Sequence, residues 1–187
     1  MQTVYFVDQQ GQIVSKTISP LLNAVLENIP NDCTAIVLDD SRIAESYWDV
    51  DLHQFVSIGE APSPHHIFDY AFKQWVDPRT LDEIKNQKWT EIKAQRTQLE
   101  FGGFIFEGHM YDSDQVSQGR IMGAALAGVE QVWTLADNST ITLAGAKLLE
   151  LYGAMQQHVA TAHERGRIAR QAIEAATTKE DVEAVTL

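Results

Sequence analysis

The chain has 187 residues, 44% hydrophobic and 21% charged, a composition typical of one large or two small folded domains. It carries 14 basic against 26 acidic side chains, a formal charge of −12, which argues against free nucleic acid as a partner because phosphate binding needs clustered Lys and Arg. Its single cysteine, Cys33, excludes a disulfide framework, and the sequence shows neither a signal-peptide pattern nor an apolar run of roughly 20 residues, so we expect no membrane-spanning segment.

Residues 1–58 are predicted to form a small sheet-rich module. The segment "TVYFVDQQGQIVSKTI" reads as a hairpin, and "SPLLNAVLENIP" as a short helix with Ser19 as its cap and Pro20 at its first position. "CTAIVL" is predicted to be a buried strand in which Cys33 is a structural thiol. "SYWDVDLHQFVSI" is predicted to be a second hairpin that turns near residues 49–51.

Residues 59–76 are predicted to be a linker with short strands, and residues 77–187 a helix and hairpin domain. Glycine and proline in "GEAPSPHH" break regular structure, and "FDYAFKQWVDP" follows as short aromatic strands around a polar turn. The first long helix is predicted to start at Asp77, or at Thr80 through a capping box with Glu83. Two glycines after Phe101 end it.

The stretch "FGGFIFEGHMYDSDQVSQGRIMGA" is predicted to be a hairpin that runs into a second helix. The hairpin turns at Glu107-Gly108, and Ser113 or Asp112 caps the helix. Small residues recur every four positions along this helix, as Gly119, Gly123 and Ala127. Since glycine costs about 1 kcal/mol in a helix, we expect another backbone to approach this stripe closely.

A second hairpin, "VWTLADNSTITL", is predicted to precede a long last helix that Thr142 caps. Gly166 is a candidate kink or break, and "TTKEDVEAVTL" is predicted to form a short terminal turn capped by Thr177. Steps of four and three continue for several heptads along the long helix, which predicts either an interface with a partner or copy, or packing against the 78–99 helix. We use the name seam for the seven residues at the centre of this pattern. They are Tyr152, Met155, Val159, Ala162, Gly166, Ala169 and Ile173.

Residues that could carry chemistry are few, and we predict no catalytic, cofactor or metal site. Adjacent histidines rarely point at one ion, and the two histidines of the last helix lie five apart, which does not match the i, i+4 spacing of a zinc helix. The acids beside His109 are better explained as helix caps. The residues weighed for these roles are His65, His66, Asp69, His109, Asp112, Asp114, His158 and His163. For Trp48 and Trp75 two roles are left open: packing in the core, or forming a surface that binds a partner or a carbohydrate.

Two blocks of the sequence resemble bacteriophage tail proteins. "YWDVDLHQFVSIGEAPSPHHIFDYAFKQWVDPRTL", followed by "KWTEIKAQR", is similar to the middle of tail fibre assembly proteins. "EFGGF", "DSD" and "SQGRIMGA", followed by "WTLADN", resemble a C-terminal domain of unknown function that recurs in phage tail proteins. Together the blocks cover roughly residues 47–178.

The resemblance implies a non-enzymatic phage tail component that assembles with or caps the tail fibre, either as a chaperone or as a structural part. The residues predict an α+β protein with a small sheet-rich N-terminal module and a C-terminal module of two hairpins and three helices, including a long C-terminal helix. The resemblance implies a tail fibre or another tail protein as its partner, with a homo-oligomer as an open alternative. It would act in the host cytoplasm during assembly, or in the virion tail. The alternative is a receptor-binding tail module that reads host glycan through Trp48 and Trp75, and an enzyme such as a depolymerase is the third class.

Overall fold

The computed structural model describes residues 2–38, 43 and 45–187 of the chain. Strands in small antiparallel sheets come first and helices dominate afterwards, so the α+β fold class predicted from the sequence is confirmed. The chain forms two compact units, Met1–Arg79 and Thr80–Leu187. The segment 59–76 contains two short strands that belong to the first unit.

In its described residues the first unit consists of antiparallel strands and one short helix. Its elements are β1 (Gln2–Val7), β2 (Ile13–Ser19), α1 (Leu22–Leu26), β3 (Thr34–Leu38), β4 (Ser46–Asp49), β5 (Gln54–Ser57), β6 (Ile67–Asp69) and β7 (Gln74–Val76). A three-stranded sheet has the order β2-β1-β3, and β4-β5 and β6-β7 form separate hairpins.

Strand β1 forms the core of the first unit, because residues 3–7 are all buried. The Tyr5 ring packs against Phe55 of β5 with 5.2 Å between centroids, which joins the sheet to the next hairpin. The β1–β2 turn also contacts that hairpin, since Gly11 has a φ of 80° and a Cβ there would lie 2.1 Å from the Trp48 carbonyl oxygen. Glycine is therefore required at this turn.

The β4-β5 and β6-β7 hairpins share one turn geometry. Asp49 Oδ1 accepts two backbone N–H groups of its turn at 2.9 and 3.0 Å, and Asp69 Oδ1 does the same at 2.9 and 3.1 Å. Both turns end on a residue in the left-handed region, His53 at φ 51° and Lys73 at φ 57°. The segments "DVDLHQFV" and "DYAFKQWV" thus form hairpins with the same turn conformation. Each hairpin was predicted, but the common turn is visible only in the backbone geometry.

Two details of the first unit differ from the predictions. The N-cap of α1 is Leu21 and not Ser19, whose hydroxyl instead accepts the Leu21 N–H at 3.0 Å. No residue of this five-residue helix is buried. Strand β3 forms as predicted from "CTAIVL", but it is half-buried where a buried strand was expected, and so is Cys33.

The second unit has four helices and two hairpins. Its elements are α2 (Leu81–Phe101), β8 (Phe104–Phe106), β9 (His109–Tyr111), α3 (Gln115–Ala127), β10 (Gln131–Thr134), β11 (Thr140–Leu143), α4 (Gly145–Ala175) and α5 (Lys179–Glu183). The predicted capping box of α2 is confirmed: Glu83 N–H donates to the Thr80 hydroxyl at 3.2 Å, and Thr80 N–H donates to Glu83 Oε2 at 2.7 Å.

Two other predicted helix caps in this unit are wrong. Thr142 lies within β11, and α4 begins after Ala144, which offers no side-chain hydrogen bond. The cap of α5 is Thr178, whose hydroxyl accepts the Asp181 N–H at 3.1 Å, and not Thr177. At α4 no threonine caps the helix, and at α5 the cap position falls on the second of two adjacent threonines.

Helices α2 and α4 pack antiparallel along their length. Lys85 Nζ donates to the carbonyl of Glu174 at 3.0 Å near one end, and the Arg96 side chain lies over Gly166 nearer the other. A Cβ at Gly166 would come within 3.0 Å of Arg96 Cδ, so the glycine allows this close approach. Helix α4 is continuous over its 31 residues, and the predicted break at Gly166 does not occur.

The second unit has two hydrophobic clusters. One is formed where both hairpins and α3 meet the first half of α4, and its buried members are Phe104, Tyr111, Ile121, Ala124, Leu135, Leu143, Leu148, Leu151 and Met155. The other is formed by α2, α5 and the last part of α4, with the buried residues Ile84, Ile92, Ala169, Ile173 and Val182. The long helix α4 therefore holds the unit together, since it contributes to both clusters.

Candidate functional site

A groove of about 710 Å³ lies between α3 and β10 in the second unit. Its size falls within the range of about 300–1,000 Å³ that is usual for ligand sites. The residues that line it are Asp112, Ser117, Arg120, Gly123, Ala124, Ala127, Val129, Gln131, Val132, Trp133, Thr134, Leu135 and Asn138. All of them come from one stretch of 27 residues, numbers 112–138, so the groove belongs to a single helix-hairpin segment.

The α3 wall of the groove is made of small residues. A Cβ built at Gly123 meets no atom within 4 Å, and the same is true at Gly119. The predicted close approach of another backbone along this stripe is therefore wrong within the described chain. The core of the unit instead receives Ile121 and Ala124, which lie on a different face of the same helix. The stripe faces open space, and at Gly123 that space is the groove.

The β10 wall presents both its side chains and its backbone. Trp133 packs against the first hydrophobic cluster and Leu135, just after the strand, is buried in it. Val132 points the other way and is 66% exposed, and Val129, which also lines the groove, is 60% exposed. This wall was predicted only as a hairpin strand. The sequence feature that could have indicated a binding surface was the run of apolar residues between α3 and the β10–β11 turn.

Ser113 links the C-terminal end of α2 to the segment 112–138 by hydrogen bonds. It is fully buried, its hydroxyl donates to the Glu100 carbonyl at 2.6 Å, and it accepts the Gly103 N–H at 2.9 Å. Both of these backbone groups lie at the C-terminal end of α2, where helix carbonyls lack partners. Ser113 is thus a structural residue and not the predicted helix cap.

Asp114 is the N-cap of α3, which corrects the prediction of Ser113 or Asp112. Its carboxylate accepts the Ser117 hydroxyl at 2.6 Å and the Ser117 N–H at 3.2 Å. These hydrogen bonds to the charged form, the hydroxyl first, hold the pKa of Asp114 below its ordinary value. Asp112 is exposed, and it is one of the residues that line the groove.

The groove is lined by polar and apolar residues in similar measure. Asp112 and Arg120 are the charged residues of the lining, and Glu130 and Asp137 flank β10 on either side. The Ser139 hydroxyl and N–H lower the pKa of Asp137, so this carboxylate is ionised at neutral pH. Neither histidine nor cysteine lines the groove. The arrangement can hold a ligand by apolar contact and backbone hydrogen bonds.

Most of the predicted seam of α4 faces the protein's own helices. Five of its seven residues are buried in the chain, and they are Met155, Ala162, Gly166, Ala169 and Ile173. Tyr152 and Val159 are half-buried. The packing against α2 that was left open as an alternative is therefore present in the described structure. A role of the seam in binding a partner stays a prediction, and Tyr152 and Val159 are its accessible members.

The two tryptophans predicted as a binding surface have different surroundings in the first unit. Trp75 donates its indole N–H to the Ile58 carbonyl at 2.8 Å and packs edge-on against Phe68, so its polar atom is already satisfied. Trp48 packs edge-on against Phe55 and lines a second, shallower groove of about 500 Å³. Of the two, Trp48 is the better placed to contact a ligand.

The histidines considered as metal ligands lie apart. His66 Nδ1 pairs with the Ser63 hydroxyl at 2.8 Å, His158 Nε2 lies 2.9 Å from the Leu99 carbonyl, and His163 lies 3.2 Å from Glu100. In the part of the chain that the structure describes, no three residues among His, Cys, Asp and Glu are gathered as metal ligands. Among the described helices none has the length and apolarity to cross a membrane.

Comparison with known proteins gives one result. The family described as "Domain of unknown function (DUF4376)" matches residues 83–186, which is more than half of the chain and contains the whole α3–β10 groove. Searches of curated proteins and of solved structures found no significant match.

Proposed function

The chain belongs to the DUF4376 family of domains of unknown function, and we propose that it is a non-enzymatic component of a bacteriophage tail. In this proposal it assembles with or caps the tail fibre, as a fibre assembly chaperone or as a structural tail protein. The single observation that carries the proposal is the order of uncommon segments that resembles phage tail proteins, from "YWDVDLHQFVSIGEAPSPHH" through "DSD" to "WTLADN".

The α3–β10 groove supports a binding function over a catalytic one. Its walls combine small residues and exposed apolar side chains with polar ones, and its one lining carboxylate, Asp112, is accompanied by neither histidine nor cysteine. Large exposed apolar patches on monomeric proteins mark interaction sites, and the lining residues Val129 and Val132 are exposed here. A tail protein that handles a fibre needs a surface of this kind.

Co-expression with the tail fibre protein encoded beside this chain tests the proposal. We expect a complex that survives size-exclusion chromatography, and fibre protein that is soluble only when this chain is present. A fibre that folds and trimerises equally well without this chain, and never co-purifies with it, would contradict the proposal.

The two versions of the proposal are separated by the composition of purified particles. A structural tail protein is present in mature particles in a fixed ratio to the fibre. A chaperone is required for fibre production and is absent from those particles. Quantitative mass spectrometry of particles from infected cells, with the major tail protein as the internal reference, distinguishes them.

A second candidate function rests on the Trp48 groove. Aromatic rings beside polar side chains such as His53 and Gln54 suit the apolar faces and hydroxyls of sugars. We expect a glycan-binding module to lose array binding in Trp48→Ala and to keep it in Trp75→Phe, because Trp75 is engaged inside the unit. No binding to any host surface polysaccharide would remove this candidate.

A further inference from the structure

Strand β10 has an unpaired edge. Among the described strands its hydrogen-bonded neighbour is β11 alone. The Leu135 N–H donates to the Ser139 carbonyl at 2.9 Å across this hairpin, and bonded and non-bonded pairs alternate in an antiparallel ladder. The N–H and C=O groups of Val132 and Thr134 therefore point away from β11. These groups need water or another strand as partner.

The groove runs along this edge. Five consecutive residues, 131–135, line it, although neighbouring side chains of a strand point to opposite faces. A groove that touches all of them lies beside the backbone. The opposite wall is α3, where Gly123 and Ala127 leave the space between helix and strand open. An extended chain fits here because its own backbone supplies the matching donors and acceptors.

The charges around the groove favour a different protein over a second copy. The segment 112–138, which forms the groove, carries four carboxylates, Asp112, Asp114, Glu130 and Asp137, against one basic residue, Arg120. A second copy would bring the same carboxylates and a further charge of −12 to the contact, and like charges that face each other cost binding free energy. A peptide segment with basic residues at its ends is complementary to these carboxylates.

We propose that the α3–β10 groove binds an extended, basic-flanked segment of another protein, which adds to the free edge of β10 as a further strand. About four residues of that segment pair with β10, over about 14 Å. Its alternate apolar side chains lie against Trp133 and the small residues of α3. The inference rests on the proposed function only in taking the partner to be a protein.

A synthetic peptide tests this directly on the full chain. The probe has seven residues, with valine at alternate positions, threonine between them and lysine at both ends, and binding is followed by fluorescence anisotropy of a labelled copy. Its matched control is the same peptide N-methylated at the residues whose N–H groups face β10. We expect the methylated peptide to bind at least tenfold more weakly, because backbone hydrogen bonds carry strand addition.

Two pairs of protein variants localise the binding. Val132→Pro removes an outward N–H from the free edge of β10, and its control Thr142→Pro removes the equivalent N–H from the far edge of β11. Gly123→Leu fills the groove, and its control Gly119→Leu places the same side chain on the same helix outside the groove. We expect about tenfold weaker binding in the first member of each pair and little change in the second.

The inference is overturned if the probe does not bind, if N-methylation leaves its affinity unchanged, or if all four variants bind alike. A dimer of the chain that Val132→Pro dissociates would also overturn it, because a second copy would then occupy the edge. Circular dichroism of each variant shows whether its fold is kept, and the methylated peptide needs no change in the protein. A fibre complex that forms normally while the peptide fails would refute this inference and leave the proposed function standing.

Discussion

Replacing Gly119 and Gly123 of α3 by alanine is expected to stabilise the protein. Both glycines lie inside a helix, and a Cβ at either would meet nothing within 4 Å. A glycine in a helix interior costs conformational entropy in folding and receives no packing in return. The added methyl groups would therefore lower the entropy of the unfolded chain without creating a clash.

The magnitude follows from helix propensity and from the open surroundings. Each change is worth up to about 1 kcal/mol, and the two effects should add because neither methyl group has a neighbour to share. For the unit Thr80–Leu187, about 1 kcal/mol corresponds to roughly 4–8 °C in Tm. The double variant is thus expected to melt about 10 °C higher.

Thermal unfolding followed by far-ultraviolet circular dichroism measures this, since the long helices of the second unit dominate the signal. Gly153→Ala is a positive control, because its Cβ also has open space. Gly166→Ala is the contrasting control, because its Cβ would lie 3.0 Å from Arg96 Cδ and the arginine would have to shift. We expect a smaller gain, or a loss, at position 166.

A double variant that melts no higher, while Gly153→Ala does, would refute this reasoning. Such a result would mean that another backbone does pack against the Gly119–Gly123 stripe in solution, as the sequence pattern alone predicts. Light scattering of the chain would then show whether that backbone belongs to a second copy.

Three further predictions concern the same unit. Gly145→Ala should destabilise it by about 1–3 kcal/mol in urea unfolding, because a Cβ there would lie 2.0 Å from the Gly128 carbonyl oxygen, and wild-type stability would contradict that contact. Ser113→Ala should cost about 1–3 kcal/mol, since it leaves two backbone groups without their partner, and Ser113→Thr tests whether the hydroxyl alone suffices. The pKa of Asp114 is lowered in the fold, so its contribution is present above the carboxyl's ordinary pKa and is lost as pH falls through the lowered value. Asp114→Asn should flatten the acid limb of a stability profile, and an unchanged limb would exclude this role.

Local patterns predicted the positions of most elements. The four hairpins after the first strand pair, among them the one that turns at Glu107-Gly108, follow from turn residues between β-forming runs. The start of α2 was predicted at Asp77 or at Thr80, and the capping box of Thr80 and Glu83 is the alternative that the structure confirms. These features depend on interactions within a few residues of the chain, so the sequence contains all that decides them.

Predictions about surfaces were less successful because they depend on distant segments. The small-residue stripe of α3 was expected to be covered, but it faces a groove. The sequence did not decide whether the seam of α4 contacts a partner or a helix of the same chain. In the structure most of the seam packs against α2. No local rule assigns a helical face to one neighbour, since several apolar faces compete for the same space.

The sequence by itself determined the fold class and the order of helices and hairpins. Only the tertiary structure decided which apolar surfaces are internal and which stay open. Hydrogen-bonded turns and helix periods are short-range, and a segment carries them alone. The groove beside β10 exists because α3 turns Ile121 and Ala124 toward α4 and leaves its glycine side to water, and that choice is made by the packing of the whole unit.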